Sequence, residues 1–311
     1  RFSCLSFKSK ENKSKMKIFD CFMFFDEEIL LDLRLNYLNN YVDEFVIVES
    51  PYTHSGEKRK LLFDINTFKK FKDKISYIVV DKEPDNIFKV NTTDSEDKKN
   101  SKYILNAAKR ENFQRNYIQK GLVKANPEDM ILISDLDEIP NLETNDLKNI
   151  KSKLIFFKQK LFYYKLNLKL DSFDWFGTKA CKMAHLVSPQ WLRNIKDKRY
   201  PFWRLDTLCS RNKYQDIFFV ENGGWHFSYM RTAESIEKKL TSYLHHREYD
   251  INPLGKDKIQ EMINNKKPVY DLCADMKKSK FESDQELVVS TINELPNYIQ
   301  KNLEKYKQWL E

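Results

Sequence analysis

The chain has 311 residues, 41% hydrophobic and 14% aromatic, which is enough for a sizeable core in one large domain or two small ones. Its 54 Lys and Arg against 46 Asp and Glu give a net charge of +8. The lysines are spread along the chain, which favours an anionic small ligand or an acidic surface and is only weak evidence for nucleic acid, so no nucleic-acid partner is expected. Only 6 glycines argue against glycine-rich phosphate loops and β-rich repeats, and no apolar run reaches transmembrane length.

Residues 1–15 are rich in Lys and Ser, lack an apolar signal core, and are expected to form a disordered extension ahead of a natural start at Met16. The five cysteines, Cys4, Cys21, Cys181, Cys209 and Cys273, are far apart and contain no CxxC pair. A disulfide framework or zinc site is therefore not expected, and a reducing compartment is. The sequon Asn91-Thr92-Thr93 is read as chance, because no secretory route is visible.

Lys17 to Phe25 predicts a first buried strand. Asp26 is an N-cap residue with Glu27 and Glu28 in the first turn, and Ile29, Leu30, Leu33, Leu35 and Leu38 predict a helix packed on the sheet. Phe45 to Val48 is a second strand, so the chain opens with a βαβ unit. Glu49, with Ser50 beside it, stands at the strand end, where a carboxylate can accept from ribose hydroxyls or a base N–H; an exposed acid at a loop entry is the plainer reading. The loop Tyr52 to Gly56 adds small polar donors. Ile75 to Val80 is a third strand and Asp81 to Asn100 an exposed loop. Ser101 to Gly121 predicts a long helix that buries Tyr103, Leu105, Phe113, Tyr117, Ile118 and Leu122. Arg115 on that helix can offer a bidentate fork to a diphosphate, or form a surface ion pair.

Met130 to Ile133 is a short buried strand, followed by Ser134-Asp135-Leu136-Asp137-Glu138-Ile139-Pro140. Three carboxylates within four positions at the end of a buried strand are costly unless their charge is offset. A hard divalent cation such as Mg²⁺ or Mn²⁺ is one answer, since it takes carboxylate oxygens and leaves positions for substrate phosphates. An acidic turn without a ligand is the other.

Asn145 to Ile150 predicts a short helix, Leu154 to Leu170 one or two strands, Trp175 to Lys179 an aromatic turn, Pro189 to Arg193 the start of a short helix, and Ile217 to Val220 a strand. Gly223 and Gly224 mark a tight turn or a close approach next to Trp225 and His226. His226 can serve as a metal ligand, a phosphate donor or a core histidine. Ala233 to His246 predicts a helix, on which His245-His246-x-Glu248 is not a metal site because adjacent helical residues diverge. Residues 251–293 read as irregular, and Leu295 to Leu310 as a terminal helix packed back through Tyr298, Tyr306 and Trp309.

Taken in order, the stretches FMFFDEEILLDLRLNYLNNYVDEFVIVES, YTHSGEKRKL, ENFQRNYIQKGL, MILISDLDEIP and GGWHFSYM resemble glycosyltransferase family 17, the β-1,4-mannosyl-glycoprotein 4-β-N-acetylglucosaminyltransferases, from about Met16 to the end. The resemblance implies an α/β, GT-A-like nucleotide-sugar-binding fold with a mixed central sheet and carboxyl-terminal helices. It implies a single domain with a nucleotide-binding half at about 16–140 and an acceptor half at about 141–311. It also implies transfer of N-acetylglucosamine from UDP-GlcNAc to a mannose-containing or other glycan acceptor. Asp135 and Asp137 would hold Mn²⁺ or Mg²⁺ against the donor diphosphate, with His226 completing the metal shell. Glu49, Ser50, Arg115 and Trp225 would contact the donor. A β-linkage made from an α-linked donor requires inversion, hence a carboxylate general base. Glu138 and Asp206 are the candidates, with Asp174 and Glu221 equally open. No stretch resembles the membrane anchor of the animal members, so a cytoplasmic location is expected. The alternatives are a phosphohydrolase using Asp135-Leu136-Asp137 as nucleophile and acid, and a non-catalytic carbohydrate- or nucleotide-binding protein.

Overall fold

The computed structural model describes residues 15–201, 203–207, 209–242, 249, 253–270, 281 and 285–311. In chain order it contains β1 (Ile18–Phe24), α1 (Glu28–Leu38), β2 (Glu44–Glu49), β3 (Ile75–Val79), α2 (Glu96–Asn116), α3 (Ile118–Gly121), β4 (Met130–Asp135), β5 (Glu138–Pro140), β6 (Leu154–Tyr163) and β7 (Leu168–Lys182). Then follow α4 (Pro189–Asn194), β8 (Ile217–Val220), β9 (Gly224–Ser228), α5 (Ala233–Ser242), α6 (Lys256–Asn264), β10 (Val288–Val289), α7 (Asn297–Gln300) and α8 (Leu303–Tyr306).

The strands form one sheet in the order β3-β2-β1-β4-β7-β6-β9-β5, with β8 added to β6 and β10 to β7. The four strands from β3 to β4 run parallel. Beyond β4 the sheet turns mixed, with β4–β7, β6–β7 and β5–β9 antiparallel and β6–β9 parallel. Two register shifts along β6–β7 bend the sheet there. This mixed α/β architecture is GT-A-like, as the resemblance implies.

The first strands read as continuous apolar runs because both of their faces are covered. Phe22, Phe24, Phe45, Ile47, Met130 and Leu132 point into a core shared with α1, α7 and α8. Phe19, Cys21, Val46, Val48, Ile131 and Ile133 point into the opposite core, which α3 and α4 close through Ile118 and Leu192. A third core joins the far ends of β6 and β7 to α5 and α6. Chain order places β2 on one side of β1 and β4 on the other, and such a reversal opens a crevice at the carboxyl ends of the strands.

Several elements differ from expectation. Helix α2 starts at Glu96, inside the stretch read as a loop, because Ser95 caps it by accepting from the Lys98 amide. Tyr103 and Leu105 are exposed, and α2 instead buries Asn106, Ala107, Gln114 and Arg115, since its inner face meets a polar crevice. Trp175 to Lys179 lies inside strand β7 rather than in a turn. A Cβ at Gly177 would sit 2.0 Å from Gln159 Oε1 and 2.8 Å from Glu138 Cδ, so this glycine allows a close approach. The predicted irregular stretch contains α6, and the terminal helix is broken into α7, α8 and a 3₁₀ turn at Lys307–Trp309. The expected extension before Lys15, the thiols Cys4 and Cys273, and His245, His246 and Glu248 lie outside the described residues. No helix among the described residues is long and apolar enough to cross a membrane.

Candidate functional site

A cavity of about 790 Å³ opens where β1, β2 and β4 end. The end of β1 contributes Met23 to Phe25 and Glu27; the loop after β2 contributes Tyr52, His54 and Arg59; the turn after β4 contributes Asp135 to Glu138. The second half of the chain adds Trp175 from β7, His226 from β9 and Lys239 from α5.

The acidic turn is held from behind by arginines. Arg34, fully buried among the leucines of α1, donates to both oxygens of Asp20 at 2.7 and 2.6 Å. Its remaining nitrogen donates to the backbone carbonyls of Asp135, Leu136 and Glu138 at 3.1, 3.0 and 2.7 Å. One side chain thus fixes the path of the whole turn, and Asp20 keeps its charge paired inside the core. Arg193, from α4, donates to Asp135 Oδ2 at 2.9 Å and to the two oxygens of Glu138 at 3.0 and 2.8 Å. Arg115, from α2, donates to Asp135 Oδ1 at 2.9 Å, to Glu111 at 2.9 Å and to Gln190 at 2.6 Å. Glu138 also accepts from the Trp175 indole at 2.6 Å and from the Asp135 amide at 2.7 Å. Burial alone would raise the Asp135 pKa, but Arg193 and Arg115 hold it well below the usual carboxylate range.

Asp137 faces the other way. The β5–β9 ladder pairs Glu138 with His226, and His226 Nε2 stands 3.6 Å from Asp137 Oδ2. The ladder depends on Gly224, whose φ of 130° few other residues adopt and whose missing Cβ would lie 2.1 Å from the Ile139 carbonyl. Burial pushes the His226 imidazole pKa down, but Asp137, Glu138 and Asp135 together outweigh it and the net shift is upward. The buried Nδ1 of His226 has no hydrogen-bond partner among the described residues.

A divalent cation fits this front edge in a limited sense. Asp137 and His226 offer one oxygen and one nitrogen donor side by side, a pair suited to Mn²⁺. Each Asp135 oxygen already accepts from a guanidinium, which leaves Asp135 a weaker donor to a cation than Asp137. Among the described residues no group of three or more His, Cys, Asp or Glu forms a metal cage, so the other ligands would come from substrate and water.

The remaining sequence candidates lie elsewhere. Glu49 is buried beneath the cavity wall, accepting from the Leu62 and Phe63 amides at 2.7 and 3.1 Å and from Tyr77 at 2.8 Å. It also pairs with Arg59 at 3.1 Å, so it anchors the loop that carries Tyr52 and His54. Ser50 Oγ accepts from the Tyr52 amide at 3.1 Å in the same loop. Trp225 neighbours His226 on β9 and so points to the opposite face, where its indole donates to the Glu294 carbonyl at 2.6 Å and its ring packs on Tyr37. Asp206 pairs with Arg204 and Lys213 at 2.7 and 2.8 Å and does not line the cavity, which leaves it without the placement a general base needs. Asp174 and Glu221 pair with Lys158 outside the cavity lining. Arg34, Arg193, Glu27 and Lys239 were not singled out from sequence. Only Arg34 carried a signal: a lone arginine amid the leucines of an apolar helix.

A family model described as glycosyltransferase family 17 matches residues 2–311. The β-1,4-mannosyl-glycoprotein 4-β-N-acetylglucosaminyltransferases of Mus musculus and Homo sapiens are each 25% identical to this chain over 236 residues. The aligned region covers 68% of this chain and 40% of each relative, so the match spans less than half of their length.

Proposed function

The chain belongs to glycosyltransferase family 17, and on that premise we propose that it transfers N-acetylglucosamine from a uridine diphosphate donor to a mannose-containing or other glycan, with inversion at the anomeric carbon. One observation carries the proposal: the cavity at the strand-order reversal is lined by Asp137 and His226, which suit a cation, and by Lys239, which suits a diphosphate. Mn²⁺ or Mg²⁺, held by Asp137 and His226, would supply counter-charge to the leaving diphosphate. This chain's own part is electrostatic. Arg193, Arg115 and Arg34 fix the acidic turn before substrate arrives, and Lys239 places a cation where negative charge grows on the leaving group. Tyr52, His54 and Gln114 at the β2 end leave room for the nucleoside. The names of the relatives support the sugar and the acceptor class. The phosphohydrolase alternative needs Asp135 as a nucleophile, yet both of its oxygens are bound to arginines.

The test is a donor screen that measures nucleoside diphosphate release from a panel of sugar nucleotides, with a mannose-containing oligosaccharide, with and without Mn²⁺. Acceptor-dependent release from UDP-GlcNAc is expected. Phosphate release without an acceptor, or UDP binding without turnover of any donor, would overturn the proposal.

A further inference from the structure

The proposed reaction needs a group that removes the acceptor's proton, and the cavity is lined by four carboxylates: Glu27, Asp135, Asp137 and Glu138. Asp135 and Glu138 are bound by Arg115 and Arg193, neither of which lines the cavity, so an entering ligand does not compete for those arginines. Asp137 faces His226. Glu27 differs in two ways.

First, its counter-ions are placed differently. Glu27 pairs with Arg231 at 2.8 Å and with Lys239 at 3.6 Å, accepts from the Asp26 amide at 3.2 Å, and Asp26 itself takes Arg231 at 2.6 Å. Lys239 lines the donor cavity, so a diphosphate there draws on the same ammonium that holds Glu27. Arg231, which lines the neighbouring groove and not the donor cavity, keeps its contact, so a bound donor would weaken one of the two ion pairs on Glu27 and raise its basicity to that extent. Second, Glu27 also lines a neighbouring groove of about 1140 Å³. The groove runs past Glu28, Thr232, Ser235 and Gln308 to Trp309, whose buried indole N–H has no partner among the described residues. Carboxylates, hydroxyls and an amide beside two aromatic side chains, Phe68 and Trp309, match a polyhydroxylated ligand, which both donates and accepts hydrogen bonds and presents C–H faces. Glu27 therefore stands where donor and acceptor spaces meet.

We infer that Glu27 is the general base of the transfer and that the groove from Glu27 to Trp309 receives the acceptor glycan. The inference rests on the glycosyltransferase reading above. In the step, the acceptor oxygen forms its bond to the anomeric carbon as the bond from that carbon to the diphosphate oxygen breaks. The electron pair leaves with the nucleoside diphosphate. The hydroxyl proton passes to a Glu27 oxygen and then to water after products depart.

The experiment compares wild type, Glu27→Gln, Asp137→Asn and the groove-filling Ser235→Trp under saturating UDP-GlcNAc, with UDP affinity measured in parallel. Glu27→Gln is expected to lower kcat by about 10²- to 10⁴-fold, while UDP binds at least as tightly as to wild type, since Lys239 no longer faces the Glu27 charge. Azide attacks without losing a proton, so it should restore UDP release and yield a glycosyl azide in Glu27→Gln but not in Asp137→Asn. Ser235→Trp should raise the acceptor KM with little change in donor KM. Turnover of Glu27→Gln within tenfold of wild type, or loss of turnover that azide does not restore, overturns the base. An unchanged acceptor KM in Ser235→Trp overturns the groove. Absence of donor turnover in the wild type overturns the underlying reading instead, and this inference with it.

Discussion

The acidic turn after β4 has a back and a front, and the two sit under opposite electrostatics. At the back, Asp135 and Glu138 face Arg115 and Arg193, and Arg34 grips the carbonyls between them. At the front, Asp137 faces an imidazole and open cavity. Neighbouring carboxylates thus divide into a pair whose charge is spent on holding shape and one whose charge is available to a ligand. Partners set those roles, and spacing along the chain does not.

Breaking the back should cost stability first. Arg193→Met leaves two carboxylates without the guanidinium that joins them, one of them almost fully buried. It is expected to destabilise the fold by about 3–5 kcal/mol, read by chemical denaturation. A loss below about 1 kcal/mol would mean that solvent takes over the arginine's place.

Breaking the front should cost activity and spare stability. Asp137→Asn is expected to lower transfer by about 10²- to 10³-fold while its denaturation midpoint stays close to wild type. The same loss of stability as Arg193→Met would erase the distinction between back and front.

Glu27 tests whether the far wall of the cavity behaves like the back. Burial would raise its carboxyl pKa, but Lys239 and Arg231 pull it from 4.5 to about 2. The folded value lies below the unfolded one, so the stabilisation is complete above pH 4.5 and fades as the pH falls toward 2. Its full size is up to about 3 kcal/mol. Stability measured across this window should lose that acid limb in Glu27→Gln, and an identical pH profile in the variant would show that the ion pairs contribute nothing.

The smallest effect expected is at His226. His226→Ala should raise the Mn²⁺ concentration for half-maximal activity by about tenfold and narrow the preference for Mn²⁺ over Mg²⁺. Unchanged metal dependence with a lowered melting temperature would make His226 a packing residue.

Much of the parallel half was legible in the chain. The runs at Ile18–Phe24, Glu44–Glu49 and Met130–Asp135 are strands close to where their apolar and β-branched residues place them, because burial on both faces demands a near-continuous apolar pattern, and the half-buried edge strand Ile75–Val79 follows from its β-branched and aromatic residues. Where burial is polar the pattern misleads. Helix α2 buries Gln114 and Arg115 and exposes Leu105, which no apolar periodicity can signal. Gly177 falls in the stretch expected to be an aromatic turn and is a point of contact between β7 and Glu138.

What the sequence determined by itself is the strand that delivers Asp135, Asp137 and Glu138 to one end of a sheet, since local apolarity and strand period decide that. Which of those carboxylates is bound and which is open was decided only by the tertiary structure. Arg34, Arg193, His226 and Lys239 are separated from the turn by about 55 to 100 residues of chain. Electrostatic pairing acts through distance in space, and only the closing of the sheet and the packing of α1, α4 and α5 made those distances short.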